Sequence, residues 1–151
     1  MYKEIEGDLI DLAFQGKFDV ITHGCNCFCV MGAGIAIQMK QHFNCNTYPL
    51  ENIVYRGDIN KLGQIEGKFI PNLELVVINS YTQYFYNAYE PMFDYEAFAL
   101  CMRKINRLYT GKQIGLPQIG AGLAKGDWNI IKEIIKKELS GCHVTVVIYN
   151  K

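Results

Sequence analysis

Two stretches decide the reading of this chain: residues 18–36, FDVITHGCNCFCVMGAGIA, and residues 113–128, QIGLPQIGAGLAKGDW. Each begins with a short apolar run, passes through a loop rich in glycine, and opens a helical pattern. Strand, glycine loop and helix in that order form the repeating unit of layered α/β proteins. The chemistry of such a loop comes from its backbone. A Gly-x-Gly turn before a helix exposes successive N–H groups, and together with the helix's first turn they make an anion cradle that needs no basic side chain. Neither loop is a nucleotide fingerprint by itself. Gly32-Ala33-Gly34-Ile35-Ala36-Ile37 lacks the third glycine of G-x-G-x-x-G, and neither loop carries a G-K-[ST]. Glycines that only turn the chain from strand to helix look the same.

The remainder alternates in the same way. Residues 2–6 read as a strand, and Asp8 stands where a helix cap belongs, ahead of Leu9, Ile10, Leu12 and Ala13. Residues 18–22 form a second strand, and a helix runs from Gly34 with Ile35, Ile37, Met39 and Phe43 apolar. Residues 68–70 and 75–80 read as strands joined at Pro71-Asn72, followed by a Tyr-rich loop over residues 81–89. The 3.6-residue period predicts helices over residues 93–109 and 127–139. Residues 142–149, CHVTVVIY, are β-branched enough for an interior strand. Residues 44–63 carry no clear pattern. The expected class is α/β, with ligands beyond the carboxyl ends of the strands.

Composition narrows the function. A length of 151 residues fits one domain, expected to span residues 1–151. Fifteen Lys and Arg balance fifteen Asp and Glu, so there is no general pull on nucleic-acid backbones or anionic membranes. No apolar run reaches the roughly 18–20 residues that cross a bilayer. The N-terminal residues 1–14, MYKEIEGDLIDLAF, carry acids where a secretory signal needs a basic flank, so a cytoplasmic chain is expected. Six cysteines, three of them in Cys25-x-Cys27-x-Cys29, are expected as free thiols in that compartment. His23-x-Cys25-x-Cys27-x-Cys29 invites a zinc reading, but no second ligand pair with knuckle spacing follows it. Neither a metal nor a cofactor is implied.

Taken together, Gly7-Asp8-Leu9, THGCNCFCVMGAGIA over residues 22–36, PQIGAGLAKGDW over residues 117–128 and VVIYN over residues 146–150 resemble a macrodomain. Four motifs in order cover nearly the whole chain. The run His23-x-Cys25-Asn26-Cys27 followed by Gly32-x-Gly34-Ile35-Ala36 looks like the ADP-ribose-1''-phosphate phosphatase branch. The resemblance implies a three-layer α/β/α fold around a mixed, roughly six-stranded sheet, with a cleft for ADP-ribose or ADP-ribose-1''-phosphate. It implies that Asp8 and Leu9 meet the adenine, with Tyr149 and Asn150 lining the same end. Asn26, Met31, Gly32, Ala33, Gly34 and Ile35 would surround the distal ribose and one phosphate. Pro117, Gly120, Ala121, Gly122 and Leu123 would cradle the pyrophosphate from the other side. Asp8 also satisfies the simpler requirements of a helix N-cap, and the two roles are compatible.

For catalysis the resemblance points to His23, expected at a strand end, where an imidazole can exchange a proton with water or a leaving oxygen. The alternative is a core histidine satisfied by its neighbours. Asp127 is the second candidate, and helix capping is its alternative role. The ADP-ribosyl glycohydrolase branch uses a lysine in the middle loop and an aspartate directly after G-x-G-L. Here residues 80–86, SYTQYFY, hold no lysine, and Ala124 follows Gly120-Ala121-Gly122-Leu123. Three functions remain open: a phosphatase on ADP-ribose-1''-phosphate, an ADP-ribosyl hydrolase acting on protein or nucleic acid, and a non-catalytic ADP-ribose reader.

Overall fold

The structure, a computed structural model, describes residues 1–32, 34–46, 57–86, 92–122 and 124–149. In chain order its elements are β1 (Tyr2–Glu6), α1 (Leu9–Phe14), β2 (Val20–Asn26), α2 (Ile35–Phe43), β3 (Ile65–Ile70), β4 (Leu75–Gln83), α3 (Tyr95–Leu108), β5 (Gln113–Leu116), α4 (Trp128–Glu138) and β6 (His143–Ile148). One sheet joins the strands in the order β1-β6-β5-β2-β4-β3. Pairing is parallel from β1 across to β4, and β3 closes the edge antiparallel to β4. The expected mixed, six-stranded α/β architecture is what the chain forms.

Alternation along the strands builds the layers, because successive side chains leave opposite faces of a sheet. Val20, Ile78, Ile114, Leu116, Val144 and Val146 pack with Phe98, Ile105, Ile131 and Ile135 of α3 and α4. Ile21, Val77 and Val147 face the other way, onto Leu9, Ile10 and Ala13 of α1 and Met39 and Phe43 of α2. Residues 142–149 do supply an interior strand, with β6 flanked by β1 and β5. Within the unpatterned stretch 44–63, Ile59–Lys61 forms one 3₁₀ turn, and residues 47–56 lie outside the described residues.

Two strands run further than their local pattern predicts. β2 continues through His23, Gly24, Cys25 and Asn26, and β4 continues through Tyr81, Thr82 and Gln83. The ladder between the two strands carries both extensions: His23 pairs with Asn79, Gly24 with Ser80, Cys25 with Tyr81 and Asn26 with Gln83. Several polar side chains in this doubled segment bond one another or the backbone. Thr22 Oγ1 lies 2.7 Å from Ser80 Oγ and donates to the Ile78 carbonyl at 3.0 Å. The Tyr-rich segment is thus partly strand, and Tyr81 is fully buried.

This extension corrects the expectation for His23. The residue sits inside a central strand, not at its end, and its side chain is 0% exposed. Asn79 Nδ2 donates to the Cys45 carbonyl at 2.7 Å, which leaves Asn79 Oδ1 to accept from His23 Nε2 at 2.7 Å. The proton therefore belongs on Nε2, and the buried Nδ1 has no partner among the described residues. Burial holds the imidazole neutral and pushes its pKa down to about 4, against a smaller opposing pull from the Asn79 bond. The unfolded chain, with an ordinary imidazole near 6.5, takes up this proton first as pH falls. His23 thus contributes stability that is complete above about pH 6.5 and is lost on acidification toward pH 4, on the order of 3 kcal/mol in all. His23→Gln keeps a donor for Asn79 but cannot titrate. Urea unfolding at pH 7.5 and pH 4.5 should show the wild-type chain losing about 2–3 kcal/mol more than the variant. Equal losses in the two proteins would contradict the buried neutral imidazole.

Candidate functional site

Because five strands run in parallel, their carboxyl ends share one edge of the sheet, and a trough crosses that edge. It consists of two adjoining cavities of about 490 Å³ and 690 Å³, each within the roughly 300–1,000 Å³ of small-ligand sites. Gly34, Ile35, Pro117, Gln118 and Gly122 line both. The two glycine loops therefore meet across the middle of one trough. Asp8, Leu9, Val147 and Tyr149 close one end, and Asn26, Thr82, Gln83 and Tyr86 line the other.

The first loop is shaped by Asn26. Its Oδ1 accepts from the Phe28 and Val30 amides at 3.1 and 3.2 Å, and its Nδ2 donates to the Val30 carbonyl at 2.9 Å. Beneath it Cys25, Cys27 and Cys29 are buried as free thiols. Burial raises the Cys25 thiol well above its usual range and the Cys27 thiol to about 11, so neither supplies a thiolate at neutral pH. The loop then enters α2 through Gly34, whose φ of 60° and ψ of −145° suit glycine alone. Gly34 has no side chain to cap α2, and among the described residues the first-turn amides are left for the trough or a ligand.

The second loop is held by packing. Ala124 presents its carbonyl to the Met92 and Phe93 amides, and the Gly126 amide donates to the Gly120 carbonyl at 2.6 Å. A side chain on Gly120 would enter the Phe93 ring, and one on Gly126 would come within 2.8 Å of the Gly120 carbonyl. Gly122 faces open space. The amides of Gly120 and Gly122 make no backbone hydrogen bond among the described residues.

Asp8 caps α1: its Oδ1 accepts from the Ile10 and Asp11 amides at 2.9 and 3.1 Å. Both cap bonds use one oxygen, so the other is available to the cavity that Asp8 lines. Asp8 is the single charged side chain among the described lining residues; no lysine or arginine is present there. Tyr149 stands at the same end with 62% of its surface exposed.

Other expected site residues lie elsewhere. Met31 is buried in the core under α1 and α2, because the loop turns its side chain inward. Asp127 is an exposed cap of α4, accepting from the Asn129 amide at 2.9 Å, and lines neither cavity. His23 likewise lines neither. Ala33, Leu123 and Asn150 lie outside the described residues. Tyr86 of the Tyr-rich segment lines the trough, and so do Gln118, Gln38, Thr82 and Gln83, which the sequence patterns do not mark. The extended β4 ladder brings Thr82 and Gln83 there, and Gln118 stands two residues ahead of Gly120-Ala121-Gly122. Among the described residues no cluster of three or more His, Cys, Asp or Glu is arranged to hold a metal ion. No helix among them is long and apolar enough to cross a membrane.

Known proteins resemble this chain in sequence and in fold. No protein-family model matches it. The uncharacterized 17.5 kDa protein of the tk-vs intergenic region of Enterobacteria phage T4 is 34% identical over 151 residues, spanning 96% of this chain and 94% of that one. The macrodomain of Thermus aquaticus DarG superposes with a TM-score of 0.70 at 22% identity, covering 100% of this chain and 99% of that one. Thermosipho africanus DarTG, solved in complex with ADP-ribose, superposes with a TM-score of 0.72 at 19% identity over 98% of this chain and 41% of that one. The chain belongs to the family of the phage T4 17.5 kDa protein, and the fold that carries its two glycine loops is the macrodomain fold.

Proposed function

We propose that the trough binds ADP-ribose or a closely related ADP-ribosyl compound. The observation that carries this reading is the convergence of two glycine loops on one trough whose described lining holds no cation. A diphosphate there is held by main-chain donors: the uncapped start of α2 on one side and the Gly120–Gly122 turn on the other. The free carboxylate oxygen of Asp8 suits an exocyclic amino donor, and Tyr149 offers a ring beside it, so the adenine belongs at that end. The terminal ribose then reaches Asn26, Thr82 and Gln83. The ADP-ribose complex of Thermosipho africanus DarTG supports the assignment through a shared fold.

A second reading is hydrolysis of ADP-ribose-1''-phosphate, favoured by the H-x-C-N-C sequence. Its two acid–base candidates are badly placed, since His23 is sealed in the sheet and Asp127 caps α4 outside the trough. Binding is therefore the reading the geometry supports best. A phosphate-release assay separates the two. We expect ADP-ribose-1''-phosphate to bind without release above background; steady release would make the trough an active site.

Asp8 allows the cap and the ligand contact to be separated. Asn caps helices about as well as Asp but replaces the free oxygen with a competing donor. Asp8→Asn should leave thermal stability nearly unchanged while ADP-ribose affinity, measured by calorimetry, falls about tenfold. Asp8→Ala should lose both, with a cap cost of about 1 kcal/mol. An absence of heat and of thermal shift when wild-type protein meets ADP-ribose would end the proposal.

A further inference from the structure

Strand β3 is an open edge of the sheet: among the described strands it pairs with β4 alone. The free side of an edge strand is a template for another strand, and folded chains commonly blunt it with a proline, a bulge or a lysine. Residues 65–70, IEGKFI, contain no proline, and their register against β4 runs without a bulge. Lys68 is drawn back onto its own chain, donating to the Asn44 carbonyl at 3.0 Å.

Backbone alternation fixes which groups face outward. The Tyr81 amide donates to the Gln64 carbonyl at 3.0 Å. In an antiparallel ladder, Glu66, Lys68 and Ile70 then turn their main-chain groups to β4, and Ile65, Gly67 and Phe69 turn theirs to the free side. Gly67 is exposed, and a glycine's surface is all main chain, so the edge is open at its centre. Phe69 beside it is 58% exposed. Ile65 packs on the α3 and α4 layer and Ile70 on the α1 and α2 layer, so Glu66 and Lys68 share the latter face.

We propose that this edge is the interface of a symmetric dimer, in which two copies of the chain pair β3 to β3, antiparallel, about a two-fold axis at Gly67. The sequence matches itself in that register. Gly67 meets its own copy, Ile65 meets Phe69, and Glu66 stands directly opposite Lys68 on both sides of the axis. Opposite charges across a strand pair stabilise it, as does an aromatic ring beside a β-branched side chain. Other registers match poorly. An axis at Glu66 or at Lys68 sets like charges opposite each other and uses main-chain groups already turned to β4. An axis at Ile65 or at Phe69 leaves both charges without an opposite partner. Glu66 also bonds Lys61 at 3.3 Å, and a carboxylate can accept from two lysines. No residue of β3 is among the described residues lining the trough, so the pairing stands apart from ligand binding.

Sedimentation equilibrium of the full chain over a concentration series tests this. The wild-type chain should associate to twice its monomer mass. Lys68→Glu sets a carboxylate opposite Glu66 and should weaken association about tenfold. Adding Glu66→Lys to that variant restores opposite charges in exchanged positions and should recover wild-type association. Gly67→Pro removes an outward N–H that β4 does not use, a change edge strands tolerate, and should leave a folded monomer by thermal unfolding. A chain that stays monomeric up to about 1 mM leaves the edge to another partner or to water and overturns the proposal. A dimer indifferent to Lys68→Glu, or one that the double exchange does not recover, overturns it as well. Should Gly67→Pro fail to fold, the charge exchange decides alone.

Discussion

Parallel pairing is the constraint from which the site follows. Five strands that run the same way deliver five chain exits to one edge, so segments far apart in sequence are forced to share a surface. Asp8 leaves β1, Asn26 leaves β2, Gln83 leaves β4, Pro117 leaves β5 and Tyr149 leaves β6, and all five line the trough. An antiparallel sheet would send alternate exits to the opposite edge and separate the two glycine loops. The helices that cover both faces exist to return the chain for the next parallel strand, which is why the layers and the site come from one topological choice.

The electrostatics of the trough follow from the same source. With one acidic and no basic side chain among its described lining residues, it cannot attract an anion by net charge. What it offers is oriented dipoles: a helix start that Gly34 leaves uncapped, and the Gly120 and Gly122 amides, which make no backbone hydrogen bond among the described residues. Such donors are short-ranged and fixed in direction, so they favour a ligand whose oxygens match the spacing of two loops. Lysines would bind many phosphates less selectively, as point charges on flexible stems. A formally neutral chain is compatible with a phosphate site for this reason.

The two glycine loops, the cap at Asp8, the amphipathic helices and the β-branched last strand were legible because each is a local pattern with a physical cause. What escaped was non-local. His23-Gly24-Cys25-Asn26 and Tyr81-Thr82-Gln83 have little strand character of their own and become strand through the ladder that joins β2 to β4. Reading β2 as ending at Thr22 placed His23 at a strand end, beside solvent, when the continued ladder encloses it. The same error hid Thr82 and Gln83 in a supposed loop. For Met31 the place directly before Gly32 was visible, but the direction in which the loop turns its side chain was not. Asp127 did what an aspartate before a helix ordinarily does.

Glycine shows how far a motif can be read. Gly34 is required by its dihedral angles, and Gly24, Gly120 and Gly126 by the atoms that crowd them. Gly122 meets no atom within 4 Å of where a side chain would begin, and it lines both cavities. In sequence these are the same letter, and a pattern such as G-x-G merges a packing contact with a ligand contact. The separation comes from asking what a methyl group would strike at each position. Where it strikes protein, the glycine serves the fold. Where it strikes nothing at the bottom of a trough, the space belongs to whatever the trough was shaped to hold.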